Sequence, residues 1–527
     1  MDTEVLIVGA GPVGLTAAIE LTRRGVACRV VDELAVPRDS SRGCTVYQRT
    51  LEVFDGIGLA VDDYVDEGVQ LRNRVYHLFG EAIGTVDMAE PDSPRPYPLL
   101  ISQAVTERRL EGRLNDLGVQ VERGTSATDP VRKDDAVEVT LSRADGGRTV
   151  IRTSWLIAAQ GAASGVREAL GVEWEEQRRF GLRVLQADAR IRLPLPVEQG
   201  EAHMFFGANG HAGFVPLPDG RHRVFVVRRA EAAARGGDPD LEEIGAEMRE
   251  VCGVGDIGLS DGRFAWRVRL QNRIASRFRV GRCLLVGDSA RVFAPVYAQG
   301  MNTGVQDAVN LGWKLAAVIR GGAPETLVDS YEAERRPVAL ELLERTERSL
   351  DFGVQPAPER EALLRAVTVN RRKRTQLRFG YHDSPLTREL LGDADGPRAG
   401  ERAPDAPIGT SSLFREWRDD DRWTLLMVPD GPAGESLANG FRDPGGWTRD
   451  RDPAASAAAS ALRTVLRGHE TRLMVLSDPA PALRDVYAPS GSRQGRLYLV
   501  RPDGYIGFRG ALQDAEPAAS YLRTVLG

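Results

Sequence analysis

Two clusters of glycine and acidic residues stand out for the chemistry they could do. The first is Gly9-Ala10-Gly11-Pro12-Val13-Gly14, set between a short apolar run and a stretch with helical spacing. Gly9 suits a tight turn, Gly11 lets a pyrophosphate approach the backbone, and Gly14 lets helix and strand pack closely. The helix N-terminus then faces the phosphates. Asp32 closes the next apolar run, where a carboxylate can bind ribose hydroxyls. Strand, glycine turn, helix and acid in that order predict a dinucleotide site. The second cluster is Gly287-Asp288, followed by Pro295 and by Gln299-Gly300-Met301-Asn302-Thr303-Gly304. A strand, an acid and a glycine-containing loop opening a helix could cradle a polyanion or a polarised ring, and would equally serve an ordinary strand–loop–helix corner.

Other chemistries find no spacing to support them. His77, His203, His211, His222, His382 and His469 form neither HxxxH nor HExxH, so no metal site is expected. No GxSxG elbow is present. Cys28, Cys44, Cys252 and Cys283 include no CxxC pair, which argues against a disulfide framework and suits a reducing compartment. The basic run Arg371-Arg372-Lys373-Arg374 reads as a solvated helix face.

The elements that must position the two clusters follow from periodicity. Glu4–Val8 and Ala27–Asp32 read as buried strands around a helix from Gly14 to Arg24, a βαβ opening of a doubly wound sheet. Thr106–Leu117 reads as a helix, Val137–Leu141 and Thr149–Ile151 as a strand pair, and Trp155–Ala159 as a further buried strand. Alternating runs such as Gln186–Arg192 and Arg223–Arg228 predict an antiparallel sheet. Cys283–Gly287 returns to the buried-strand pattern, and Met301–Ile319, Leu327–Arg348 and Pro358–Arg374 read as helices. Asp393–Ala406 is read as a linker. Beyond it, the strands Trp423–Val428, Arg472–Leu476 and Arg496–Val500 around a helix at Ala454–Arg467 make a small α/β module.

The 527 residues suit about three domains. With 42% hydrophobic and 27% charged residues the chain can bury a large core. A net charge of −6 argues against a nucleic-acid partner. Only three of the 69 basic residues are lysine, a compositional bias without functional meaning. No apolar run is long enough to span a membrane, and the N-terminus lacks a signal peptide's basic region, so a cytoplasmic protein is expected.

Specific strings along the chain resemble the group A flavoprotein aromatic hydroxylases, the para-hydroxybenzoate hydroxylase-like family. The resemblance is to its actinomycete polyketide hydroxylase branch with a thioredoxin-like C-terminal domain. They are the Gly9–Gly14 fingerprint, Ser41-Arg42-Gly43, Arg49-Thr50-Leu51-Glu52-Val53-Phe54, Gln103 in Ile101-Ser102-Gln103, and Gln299–Trp313. Ser330-Tyr331-Glu332-Ala333-Glu334-Arg335-Arg336-Pro337 and Val500-Arg501-Pro502-Asp503-Gly504 complete them. The resemblance implies an α/β fold: a Rossmann-like FAD-binding domain from 1–70, 100–172 and 280–395, an inserted antiparallel-sheet substrate domain from 71–99 and 173–279, and a thioredoxin-like domain from 405–527. It implies FAD as cofactor. Asp32 would hold the adenosine ribose, Arg42 and Gln103 the ribityl–pyrophosphate part, and Asp288 the ribityl chain. Pro295, Ala298, Gln299, Gly300, Met301 and Asn302 would lie along the isoalloxazine. The C-terminal domain, with no cysteine after Cys283, cannot exchange disulfides.

Three departures from the family pattern bear on the reaction. An Asp-Gly motif becomes Gln160-Gly161, with Ser164 and Arg167 kept; Gly-Asp-Ala-Ala-His becomes Gly287-Asp288-Ser289-Ala290-Arg291; Gly-Gly-Gln-Gly becomes Tyr297-Ala298-Gln299-Gly300. They resemble what FAD-dependent cyclases of spirotetramate and spirotetronate pathways do with the same scaffold. The main expectation is therefore a non-redox Diels–Alder-type cyclisation of a linear polyketide to a decalin, with FAD as a structural cofactor. Such an enzyme works chiefly by holding diene and dienophile in a near-attack geometry. The alternatives are an NAD(P)H-dependent monooxygenase hydroxylating an aromatic or polyketide substrate, and a flavin-binding scaffold without catalysis. No catalytic residue is assigned, Tyr297 being a positional guess for a hydrogen-bond donor. The expected partner is a small polyketide-type molecule, with a homodimer left open.

Overall fold

The core strand of the computed structural model is Thr3–Val8 (β1), whose Val5, Leu6, Ile7 and Val8 are all buried. A strand apolar on both faces belongs in the middle of a parallel sheet covered by helices. Cys28–Val31 (β2) pairs with it on one side and Arg148–Ala158 on the other, with Ile7 opposite both Val30 and Ile157. The full order is Arg279–Val280, Cys283–Leu285, Arg148–Ala158, β1, β2, Val121–Glu122, with Thr125–Arg132 and Val137–Arg143 added as an antiparallel meander. The structure describes residues 1–39, 43–207, 210–229, 237–295, 298–353, 359–392, 395–408, 410–418, 421–428, 473–477, 481–489 and 495–527. The expected helix at Ala454–Arg467 lies outside them, as do Arg42 and Tyr297.

Between β1 and β2 runs the helix Pro12–Thr22 (α1), with Gly11 as N-cap and Pro12 where the missing N–H is no loss. It packs on the long helix Gln299–Ile319, and the contact is tight enough that a Cβ on Gly304 would stand 2.5 Å from Val13. The expected helix at Leu327–Arg348 begins as a short 3-10 turn, Glu325–Val328, then runs from Asp329 to Gly353 with Pro337 inside it.

A second eight-stranded sheet runs in the order Arg291–Val292, Gly258–Ala275, Trp174–Arg192, His222–Arg229, Gly210–Pro216, Glu201–Gly207, Asn73–Leu78, Glu81–Asp87. Periodicity shows only Gln186–Arg192 of a strand that is 19 residues long. Register shifts at Arg179/Arg183 and Gln186/Asp188 change the phase of the alternation, so the pattern breaks while the strand continues. One face of this sheet packs Leu185, Phe205, Phe214 and Val226 under the helix Leu241–Cys252. That helix was not among the expected elements, although Asp240 caps it through Glu243 N at 2.7 Å and Gly253 ends it at φ +66°. The other face meets the rest of the molecule: Val184, Val227 and Leu270 against Ala294 and Leu350, and Tyr76, Met204 and Phe206 against Leu363 and Val367 of the helix Arg360–Arg374.

The C-terminal sheet, Arg388–Glu389, Ile506–Ala511, Arg496–Val500, Trp423–Val428, Leu473–Ser477, carries the helices Pro481–Tyr487 and Ala515–Leu526 and forms the thioredoxin-like domain. Residues 395–406, read as a linker, are packed: Ala399, Ala403 and Ala406 are core, and Arg402 Nη2 donates to Asp92 O at 2.9 Å. Among the described residues no helix is long and apolar enough to cross a membrane.

The C-terminal domain joins the rest through buried charge. Arg501 donates to both oxygens of Glu334 at 2.6 and 2.9 Å, and Lys314 Nζ reaches the same carboxylate at 2.6 Å. Arg501 Nε also bonds Asp503 Oδ1 at 3.0 Å, while Trp313 Nε1 donates to Asp503 Oδ2 at 3.1 Å. Burial alone would raise the Glu334 carboxyl, but Arg501 and then Lys314 outweigh it and hold it far below the ordinary range. Burial dominates at Lys314, lowering it to about 8, so Arg501 is the stronger partner of Glu334. Removing Arg501 leaves Glu334 with Lys314 and takes from Asp503 its guanidinium partner. Arg501→Met should cost about 3–5 kcal/mol in urea unfolding. Because the folded carboxyl of Glu334 is depressed, its contribution is present above its ordinary value of 4.5 and lost as pH falls through the lower folded value. Stability measured against pH should decline on that acid side, and the decline should be shallower in Arg501→Met.

Candidate functional site

The carboxyl ends of the parallel strands define the site, because connections there leave a crevice along the sheet edge. Following the strand order, that edge carries Thr125 near Val121–Glu122, Asp32 after β2, Gly9 after β1, Gln160 after Arg148–Ala158 and Asp288 after Cys283–Leu285. All five line one cavity of about 370 Å³. Gly11, Gln103, Pro295, Ala298, Gln299, Gly300 and Met301 line it too. The two sequence clusters, almost three hundred residues apart, therefore share a single groove.

Two helices open on this groove without side-chain caps. α1 starts at Gly11, and Gln299–Ile319 starts at Ala298 in the left-handed conformation, φ 54°. Their first N–H groups and positive dipole ends face the cavity, which favours an anion or an electron-rich ring edge. The glycines have separate duties. A Cβ on Gly14 would lie 1.9 Å from Gly9 O, so Gly14 serves packing. A Cβ on Gly11 would meet nothing within 4 Å, so the space above Gly11 is open to a ligand. Asp32 is fixed by backbone donors, Ala10 N at 2.7 Å and Leu34 N at 2.9 Å. Gln103 Nε2 donates to Glu107 Oε1 at 2.9 Å, and burial raises the Glu107 carboxyl.

Asn302, expected along the ring, has its side chain engaged with the protein. Its Oδ1 accepts Tyr47 N and its Nδ2 donates to Thr45 O and Ala298 O, all at 2.8 Å, so it anchors the neighbouring strand behind the cavity wall. Arg38, Arg123, Ser126 and Phe293 line the cavity and were not singled out in the sequence. Arg123 reaches Glu111 at 2.7 Å and Asp32 at 3.9 Å, a long-range pairing no local pattern reveals.

The departures also find their places. Arg291 turns away from the cavity: its Nη2 bonds Asp307 Oδ2 at 2.6 Å in a fully buried pair, and Arg335 Nε holds the other oxygen at 2.7 Å. Ala298 keeps the backbone path a glycine would take. Gln160 lines the cavity, but its Oε1 accepts Ser164 Oγ at 2.9 Å and Val166 N at 3.1 Å.

Residues 2–346 match the family described as FAD binding domain. The 6-methylpretetramide 4-monooxygenase of Streptomyces rimosus is 34% identical, over 96% of this chain and 90% of its own. The OxyS anhydrotetracycline hydroxylase from Streptomyces rimosus superposes with a TM-score of 0.76 at 29% identity, covering 100% of this chain and 99% of its own. The Diels-Alderase PyrE3 of the pyrroindomycin pathway superposes with a TM-score of 0.70 at 25% identity over 100% of both chains. An elongated groove with two uncapped helix ends, a fixed carboxylate and open space over Gly11 fits FAD. Substituting Gly11→Ala should leave circular dichroism and melting unchanged while lowering the FAD retained on purification. Gly14→Ala, which presses a methyl group on Gly9 O, should lower the melting temperature as well.

Proposed function

The chain belongs to the FAD-binding-domain family, and from that premise we propose that it is an FAD-dependent monooxygenase hydroxylating an aromatic polyketide. The observation that carries this reading is where the departures point. Arg291 is spent on Asp307, and Ala298 preserves the left-handed turn at φ 54° that opens the helix Gln299–Ile319. Neither changes the cavity toward a different chemistry. Relatives named as monooxygenases of tetracycline-type polyketides support the same substrate class.

In this reading the chain's own residues bind and orient. Asp32 would take the ribose hydroxyls, the N–H groups opening α1 the pyrophosphate, and Asp288 the polyol chain. Pro295, Ala298, Gln299, Gly300 and Met301 would bound the ring. FAD held there supplies the redox chemistry that activates dioxygen for insertion into an electron-rich ring. The second sheet would close the substrate side: its inner face packs on Ala294, which stands between the cavity-lining Phe293 and Pro295 and donates its N–H to Asn272 Oδ1 at 2.8 Å. Apolar Val184, Val227, Leu270 and Phe225 there would keep bulk water from the reacting carbon.

The likeness to PyrE3 keeps the cyclase as the second reading, since one scaffold hosts both chemistries. One experiment separates them: anaerobic NADPH or NADH added to the FAD-loaded protein with an anhydrotetracycline-type phenol, following flavin absorbance. Bleaching, then gain of one oxygen atom by the substrate on admitting air, is the expected outcome. Flavin that stays oxidised while a linear polyene cyclises would establish the cyclase instead. Gln160→Asp should bleach at a rate of the same order as the unsubstituted protein, because the Gln160 amide oxygen serves the Ser164–Val166 turn.

A further inference from the structure

Gln376, two residues past the end of the helix Arg360–Arg374, is 1% exposed and stands at φ 61°, a left-handed backbone that glutamine seldom adopts. Such a residue persists only where its surroundings over-determine it, and these positions cluster at working sites. On one side the backbone holds the segment: Arg49 N donates to Thr375 O at 3.3 Å, tying it to the helix Gln48–Gly56. On the other side the Gln376 carboxamide engages the helix Gln299–Ile319. Its Nε2 donates to Gln299 Oε1 and, at 2.9 Å, to Thr303 Oγ1, and its Oε1 accepts Gln306 Nε2. The spacing i, i+4, i+7 puts those three partners on one face of the helix. All three are buried. One amide thus runs along the first two turns as a splint. Gln299 Nε2 closes the loop by donating to Arg374 O at 3.5 Å, and Thr303 Oγ1 donates to Gln299 O at 2.8 Å.

The consequence lies at the cavity. The helix opens at Ala298 without a side-chain cap, and Ala298, Gln299, Gly300 and Met301 line the groove. N–H groups at a helix start are orphan donors that nearby polar side chains commonly satisfy. Here such side chains are held elsewhere: Asn302 by Tyr47 and Thr45, and Gln299, Thr303 and Gln306 by Gln376. Two residues with left-handed backbone, Ala298 and Gln376, are therefore coupled through the side chain of Gln299. Loss of the Gln376 amide would release that side chain to turn onto the N–H groups beside it or into the groove.

We infer that Gln376 is a positioning residue: by holding the Gln299 side chain back, it fixes the turn Ala298–Met301 against the flavin ring and keeps that turn's N–H groups for the cofactor. This rests on the placement of the ring at that end of the groove in the monooxygenase reading. Gln376 stands behind the cavity wall and acts through Gln299. Hydrogen bonds at the ring edge tune a flavin's electronics, so the effect reaches both how tightly FAD is held and how readily it is reduced.

The test compares the FAD-loaded full chain with Gln376→Gly, which accepts the left-handed backbone at no steric cost and removes the amide. Its far-UV circular dichroism should match that of the unsubstituted protein. Its FAD dissociation constant should rise about tenfold, the size of one or two lost hydrogen bonds. The visible flavin absorbance and the midpoint potential should both move. Gln376→Asn, with a shorter carboxamide, should fall between the two. Gln299→Met alone should reproduce the spectral shift, and joining it to Gln376→Gly should add little, since both break the same link. A flavin whose affinity, spectrum and potential are all indifferent to Gln376→Gly overturns the assignment, as do additive effects of the two substitutions. Should Gln376→Gly fail to fold, Gln299→Met decides: an unchanged flavin in that variant overturns the assignment too. A flavin that shifts with Gln376→Gly but never bleaches with NADPH or NADH keeps the positioning role and sinks the monooxygenase reading. Bleaching and oxygenation with a flavin indifferent to Gln376 do the reverse.

Discussion

The helix Gln299–Ile319 can present its N-terminus to the groove only because buried charges hold it in place. Asp307 inside that helix is matched by Arg291 and Arg335, and Lys314 one face along is matched by Glu334. An unmatched ion at this depth would cost several kcal/mol, so the partners must arrive together. They come from a short strand, from the neighbouring helix and, through Arg501, from the C-terminal domain. The thioredoxin-like domain thus bears on the cavity at a distance: it completes the charge balance around the helix whose first residues line it. That gives a cysteine-free domain a physical task without any redox role.

The same constraint reinterprets the substitution at Arg291. A histidine replaced by arginine next to a flavin groove suggests altered chemistry when only the string is visible. Buried against Asp307 and lying 4.9 Å over the ring of Phe293, the guanidinium is a structural cation. Gln160 is similar in kind, since its carbonyl closes the turn to Ser164 and Val166. Buried ion pairs sit where helices meet, and the groove itself is bounded by backbone N–H groups, small residues, a few fixed acids and the guanidinium groups of Arg38 and Arg123. Such an arrangement suits a large polar cofactor held by geometry.

Much of the first sheet was legible because its signals are local. β1 and β2 are uninterrupted apolar runs, α1 has glycine and proline at its start, and Asp32 follows at a fixed remove. The long strands Trp174–Arg192 and Gly258–Ala275 were only partly legible, since bulges shift the alternation and arginines stand where alternation predicts apolar residues. The helix Leu241–Cys252 had a readable cap and stop but short apolar content, and it takes its place by covering Phe205 and Phe214. At the site, Asn302 lies within a string that suggested the ring, and its hydrogen bonds to Thr45 and Tyr47 could not be read from either segment alone.

By itself the sequence determined the dinucleotide cradle, the order of its strands and helix, the absence of thiol chemistry in the last domain and the family of the whole. Each rests on spacing within some tens of residues, where backbone geometry and side-chain type suffice. Only the tertiary structure decided which charged residues are structural and which face the groove. It turned Arg291 inward and brought Arg501 to Glu334. The reason is electrostatic: a charge acquires its role from the partners and dielectric around it. Those are set by contacts between segments hundreds of residues apart.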